Sequence, residues 1–311
     1  FAAMPRVRPH FAVKSNPDDR LLQVLKEEGV GFEIASIAEL DQLLALGVAP
    51  AEIFYSNPMK SRAYVEYAVA KGVEWFVIDS VEELQKIHSV SPTAKTYLRI
   101  FTTNVGSDWP LSGKFGAYEA EIRDIIAEAA RLGADLAGVT FHVGSQCLNP
   151  ENWKVGLEAT RQVFDQMQAA GLKPRLVNIG GGYPVTHTKA IPSIGEIGAV
   201  VNAGLAAFGD EVQVIAEPGR YLVSDAGYFV CRVVGTATRQ GKRWVYFDAG
   251  MFGGIIETTE GLKYTIETDR TGAEIIWTVA GPTCDSLDIC TRDQALPEDL
   301  VEGDFIYIKN A

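Results

Sequence analysis

Eight short apolar runs, the first seven each followed by a stretch of helical periodicity, fill the first two-thirds of this 311-residue chain. The runs cover residues 11–14, 30–34, 53–56, 75–78, 97–100, 138–143, 176–179 and 212–217. Most are rich in Val, Ile and aromatics and bounded by Gly, Pro, Ser or Asn, as strands are. Between them, segments such as 18–28 set Leu21, Leu22 and Leu25 on one side and charges on the other. Alternation of this kind leaves few architectures. A doubly wound sheet shares it but usually carries a glycine-rich loop after its first strand, and here Ser15-Asn16-Pro17 takes that place. The expectation is a (β/α)8 barrel over residues 1–221. Beyond 222 the helical spacing stops, and runs at 228–234, 243–248, 274–280 and 304–309 predict a β-rich domain over 222–311. Phe1 to Pro5 read as the tail of a helix and the last strand ends just short of Ala311, so both ends read as incomplete.

Charge narrows the partners. Lys and Arg number 28 against 40 Asp and Glu, a formal −12. That balance argues against nucleic acid or an anionic membrane, because both need a basic face, and it leaves room for a cationic small molecule. No apolar run is long enough to span a bilayer. Cys147, Cys231, Cys284 and Cys290 have neither the density of a disulfide framework nor paired metal-ligand spacing. A reducing, cytoplasmic setting without a metal is expected.

In a barrel the chemistry gathers at the C-terminal ends of the strands. There the sequence offers Lys14, Glu33, Arg99, His142 with Gly144 and Ser145, then Gly180-Gly181-Gly182, and finally Glu217-Pro218-Gly219-Arg220. Three glycines after the seventh strand let backbone N–H groups approach an anion, and Arg220 adds a fork matched to phosphate oxygens. A plain flexible turn is the bland alternative. Lys14 is either a solvated strand end or a buried-rim amine whose proton affinity falls by desolvation, ready to capture an aldehyde. His142 is either a satisfied core histidine or a flat surface for a ring. Arg99, on a strand inside the barrel, needs a carboxylate such as Glu33. Lysine, anion cradle, flat imidazole and the Glu217 carboxylate together point to pyridoxal 5′-phosphate, which needs a partner for its ring nitrogen. An anion there strengthens the ring as an electron sink and favours loss of CO2 over racemisation.

Five segments carry a resemblance. Phe11-Ala12-Val13-Lys14-Ser15-Asn16, His142-Val143-Gly144-Ser145-Gln146, Gly180-Gly181-Gly182-Tyr183-Pro184, Glu217-Pro218-Gly219-Arg220 and Gly281-Pro282-Thr283-Cys284-Asp285-Ser286-Leu287-Asp288 resemble the group IV, fold type III pyridoxal-phosphate-dependent decarboxylases. Asp108-Trp109-Pro110-Leu111-Ser112 and Lys114-Phe115-Gly116 are similar to the branch that acts on ornithine and lysine rather than diaminopimelate. The resemblance implies that Lys14 holds the cofactor aldehyde, His142 stacks on its ring, Ser145, Gly181, Gly182, Gly219 and Arg220 hold its phosphate side, and Glu217 meets its ring nitrogen. Glu33 and Arg99 would support the lysine. The resemblance further implies a homodimer with shared sites, in which Cys284 protonates the carbanion and Asp285 binds the distal ammonium of the substrate. A second substrate aspartate of the family falls on Ala249 here, one residue after Asp248. A one-residue shift on a strand turns a side chain to the other face, so Asp248 reaches the substrate only through a bulge. The family's terminal strand and its Gly-Ala-Tyr stretch have no counterpart in these residues. The implied reaction is ornithine to putrescine and CO2. Lysine, arginine, diaminopimelate or carboxynorspermidine are alternative substrates, and a silent partner-binding homologue is an alternative of another class.

Overall fold

The computed structural model describes residues 1–111 and 113–311, so Ser112 of the Asp108–Ser112 motif lies outside the described residues. Two compact units divide the chain: Phe1–Pro184 with Pro192–Arg220, and Val185–Ile191 with Tyr221–Ala311.

The first unit is a closed barrel of eight parallel strands. They are β1 (Val7–Ala12), β2 (Gly31–Ile34), β3 (Ile53–Tyr55), β4 (Trp75–Ile78), β5 (Lys95–Arg99), β6 (Asp135–Thr140), β7 (Leu176–Asn178) and β8 (Gln213–Ala216), with β8 closing onto β1. β2, β3 and β4 are buried at every residue, which is why, apart from Glu33 in β2, they read as apolar runs rather than alternating ones. Their inward side chains fill the barrel: Phe54, Trp75, Val77, Tyr97, Ala137, Leu176 and Ile215 form one cluster, with Phe54 stacked on Trp75 at 5.0 Å. Outside lie α1 (Asp19–Glu27), α2 (Ile37–Ala45), α3 (Arg62–Ala70), α4 (Val81–Val90), α5 (Glu119–Leu132), α6 (Glu151–Ala169), α7 (Ile194–Leu205) and a one-turn α8 (Arg220–Val223). Asp18, Ser36, Ser61, Ser80 and Ser193 each accept a first-turn N–H, so the βα loops end in side chains that stop the strand and start the helix. A short antiparallel pair, Ser107–Trp109 with Ser145–Cys147, rises from the loops after β5 and β6.

Where the strands end differs from the sequence reading. β1 stops at Ala12, and Lys14 sits in a 3₁₀ turn, Val13–Ser15, so the lysine is carried by a turn rather than a strand. β6 spans Asp135–Thr140, which places His142 in the loop beyond it.

The second unit is a six-stranded sheet: β9 (Tyr228–Arg239), β10 (Lys242–Phe247), β11 (Ile266–Thr268), β12 (Glu274–Ala280), β13 (Ile289–Pro297) and β14 (Phe305–Lys309), in the order β11-β14-β9-β10-β12-β13. All neighbours are antiparallel except β10 and β12. Its core includes Cys231, Val233, Val245, Phe247, Trp277, Val279, Ile306 and Ile308. The segment Val185–Ile191, which directly follows the glycine run and Pro184, belongs to this unit. There Asn310 donates to Thr186 O at 2.8 Å and His187 meets the Tyr264 ring edge-on at 5.0 Å.

Candidate active site

The C-terminal mouth of the barrel gathers Lys14, Glu33, Arg99, His142 and Glu217 close enough to perturb one another's charge. The ends of β1 and β8 are tied by Ala12 N–H donating to Pro218 O at 3.1 Å. Gly219 packs on Ser15 beside the Lys14 turn, where an added Cβ would lie 3.0 Å from the Ser15 Cβ.

Lys14 is solvent-accessible, and protein crowds it on most sides. Its proton affinity is raised, against the sequence expectation. The Glu33 charge outweighs the desolvation that would lower it, and Glu217 adds to the same effect, while Arg99 opposes it. Glu33 is buried, and burial lifts its carboxyl above the usual range while the Lys14 charge pulls it down. Arg99 also departs from expectation. Among the described residues it makes no ion pair with Glu33; its guanidinium lies over the Phe115 ring at 5.6 Å. Burial lowers its proton affinity, and Glu217, Asp79 and Glu33 offset this in that order.

His142 follows Phe141, and its Nδ1 accepts the Gly144 N–H at 3.0 Å. An accepting Nδ1 puts the proton on Nε2, so the ring is a neutral imidazole of defined tautomer. Burial, then Arg99 and Lys14, lower it to about 3. Ser145 comes three residues later and pairs with Trp109.

The glycine run is pressed between neighbouring loops. A Cβ on Gly181 would sit 2.5 Å from the Glu217 carbonyl oxygen and 3.1 Å from His142 Nε2. Gly182, at φ +93°, would place one 2.1 Å from Gly144 O. Packing alone therefore demands glycine here. The hydrogen bonds add a second reason: Gly180 O and Gly182 O accept from Glu217 and Cys147 N–H, whereas the N–H groups of Gly181 and Gly182 have no acceptor among the described residues. Bare amides beside a cationic rim fit a phosphate. Arg220 opens α8 and is half-buried.

Glu217 shows residues that sequence reasoning missed. Ser56 Oγ and Asn178 Nδ2 both donate to its Oε1, at 2.7 and 2.6 Å, and Oε2 has no partner among the described residues. Tyr97 OH lies 2.6 Å from Ser56 Oγ. A free carboxylate oxygen, a neutral imidazole, an amine and bare amides at one mouth fit pyridoxal 5′-phosphate.

Cys284, Asp285 and Asp248 are exposed and belong to the second unit. Buried Asp288 organises their loops. Its carboxylate accepts from Met251 N–H at 3.0 Å, Thr283 N–H at 3.1 Å and Thr283 Oγ1 at 2.8 Å. Asp248 Oδ1 accepts the Arg232 N–H at 2.8 Å, next to a register shift between Val233 and Gly235. One of its oxygens is thus committed to the sheet.

Comparison with known proteins gives the family. The family model of the pyridoxal-dependent decarboxylase pyridoxal-binding domain matches residues 2–224. Ornithine decarboxylase of Schizosaccharomyces pombe is 34% identical over 325 residues, covering 100% of this chain and 74% of that protein. Antizyme inhibitor 2 of Xenopus laevis is 33% identical over 328 residues, covering 99% and 72%. The crystal structure of the Paramecium bursaria Chlorella virus arginine decarboxylase bound to agmatine superposes with a TM-score of 0.91 at 31% identity, covering 99% of this chain and 85% of that one. The lysine at the barrel mouth, the cradle beside it and a pyridoxal-binding match that runs through both have one explanation: the chain belongs to the pyridoxal-dependent decarboxylases.

Proposed function

We propose that the chain decarboxylates a basic L-amino acid, with L-ornithine as substrate and putrescine and CO2 as products, in a cytoplasmic setting. The observation that carries this is the company of Lys14: an amine at the barrel mouth facing the charge of Glu217, which has one oxygen free, beside a bare-amide cradle. Bound pyridoxal phosphate supplies an aldehyde for amine exchange and a pyridinium ring that accommodates the electron pair left when CO2 departs. Lys14 is the amine that would hold the cofactor's aldehyde. Glu217, with Oε2 free, would accept the ring N–H and keep that proton in place. His142, held toward its neutral form by burial, would cover a ring face without adding charge. Gly181, Gly182, Ser145 and Arg220 would hold the phosphate, with Gly219 making room beside the Lys14 turn. Glu33 and Arg99 set the charge around Lys14.

In the second unit the Cys284 thiol returns a proton to the α-carbon. Asp285, whose Oδ1 accepts the Leu287 N–H at 2.9 Å, presents its other oxygen to the distal ammonium of the substrate. Asp248 has only its Oδ2 for a substrate. These residues act across a homodimer of shared sites. The likeness to antizyme inhibitor 2 supports a second reading, a partner-binding homologue without catalysis; the presence of Lys14 and Cys284 favours the enzyme. Measured CO2 release from ornithine, lysine, arginine, diaminopimelate and carboxynorspermidine separates the readings. Ornithine is expected first, with loss of activity and of visible cofactor absorbance in Lys14→Ala. Release from none of them, with cofactor bound, rejects the enzyme reading.

A further inference from the structure

The carboxylate of Glu217 is held by two side chains, and a third stands behind one of them. Ser56, just past β3, donates to Oε1 at 2.7 Å, and Asn178, the last residue of β7, donates to the same oxygen at 2.6 Å. The Asn178 amide cannot be turned round, because its Oδ1 accepts the Gly180 N–H at 2.9 Å. Ser56 has one proton, and that proton goes to Glu217. The 2.6 Å contact with Tyr97 must then be a donation from the phenol to Ser56 Oγ. Tyr97, on β5, is wholly buried within the barrel cluster beside Phe54 and Trp75. Burial, and then the Glu217 charge, hold its phenol protonated far into the alkaline range.

The donors therefore run one way, from Tyr97 to Ser56 to Glu217 Oε1. Rotating the carboxylate would break two bonds at once. The arrangement leaves Oε2 as the oxygen that faces a ligand, and it supports a half-buried charge with two donors.

We propose that Tyr97 and Ser56 are positioning residues that act through Glu217, fixing which oxygen meets the cofactor ring nitrogen and how strongly that oxygen holds the ring proton. This rests on the reading of Glu217 as the ring-nitrogen partner. The chain is unbranched up to Tyr97, so the size of effect should fall with distance from the carboxylate: largest for Ser56, smaller for Tyr97.

The test uses purified full-length protein without substrate. Pyridoxal phosphate affinity is titrated by visible absorbance, the pH dependence of the bound absorbance is recorded, and thermal unfolding of the cofactor-free protein reports folding. Ser56→Ala should weaken affinity about tenfold, as expected for a hydrogen bond to a charged group. It should also displace the pH profile of the absorbance. Ser56→Thr, which keeps the hydroxyl, should restore both. Tyr97→Phe should move both readouts in the same direction by less. In a Glu217→Ala background, Ser56→Ala should change neither. The proposal is overturned if Glu217→Ala shifts the absorbance and Ser56→Ala does not, or if Ser56→Ala costs as much without Glu217 as with it. A Glu217→Ala protein with unchanged affinity and profile rejects the ring-nitrogen reading itself, and the relay with it.

Discussion

Lys14 is open to solvent and still holds its proton tightly, because Glu33 and Glu217 surround it with negative charge. An amine must be unprotonated to capture an aldehyde. Where the raised Glu33 carboxyl is ionised, above about 8, Glu33→Gln removes the largest of these charges, so cofactor capture by cofactor-free protein at about pH 9 should quicken several-fold, measured by stopped-flow growth of the visible band. An unchanged rate would show that Glu33 does not control the amine. Two histidines give a pH effect of definite sign. His10 is pushed down to about 4, by burial first and Arg8 second, and His142 to about 3, both from 6.5. Below about 6.5 the unfolded chain gains protons that the folded chain refuses, so these residues lower stability as the pH falls from there toward 4. Glu33, raised by burial, acts oppositely. The histidine share is therefore read as a difference: His10→Asn should show a shallower acid-side loss in denaturant midpoint than the parent protein. At this scale the sequence singled out Lys14, Glu33, Arg99, His142 and Glu217, because each stands at, or one residue before, the end of an apolar run. It could not disclose the sign of the Lys14 shift, which depends on summed charges from separate strands. Nor could it disclose Ser56, Tyr97 and Asn178, since Ser56 meets Glu217 across 161 residues with no local pattern to mark the pair.

Among the elements, the loop after β3 is held by a buried ion pair. The Lys60 side chain is fully buried; its Nζ donates to Asn57 O at 2.7 Å and Val77 O at 2.8 Å and lies 3.1 Å from Glu83 Oε1. The other Glu83 oxygen meets Lys86. This cluster ties the Ser56–Asn57 stretch to the end of β4 and to the first turn of α4. Lys60→Met leaves the buried Glu83 carboxylate with only the Lys86 amine and the residue-60 backbone N–H, and should cost about 3 kcal/mol in denaturant unfolding. Adding Glu83→Gln should return part of that loss, because the stranded charge goes with it. The barrel strands were legible because parallel strands buried on both faces are apolar throughout. β11 and β13 were not. β11 is three residues long with Glu267 at its centre, and β13 carries the exposed Arg292 and Asp293 in its middle, so its alternation is masked. A half-solvated antiparallel sheet writes a fainter signature than a buried barrel.

For the molecule as a whole, a shared dimeric site predicts complementation. Lys14→Ala and Cys284→Ala homodimers should each be inactive. After subunit exchange at equal amounts, half of the dimers are mixed and one site in each mixed dimer is intact, so about a quarter of the sites should recover. No recovery with exchange verified by mass spectrometry would place both residues in one subunit's site, or outside the site. The division of the chain has a further consequence. After Pro184 the backbone spends Val185–Ile191 in the sheet unit, returns to the barrel at Pro192, and leaves again after Arg220. Neither unit is a continuous stretch of sequence. A protease nick at 220 would yield an N-terminal piece still carrying seven residues of the other unit, and a recombination event at that codon would split the sheet unit rather than exchange it.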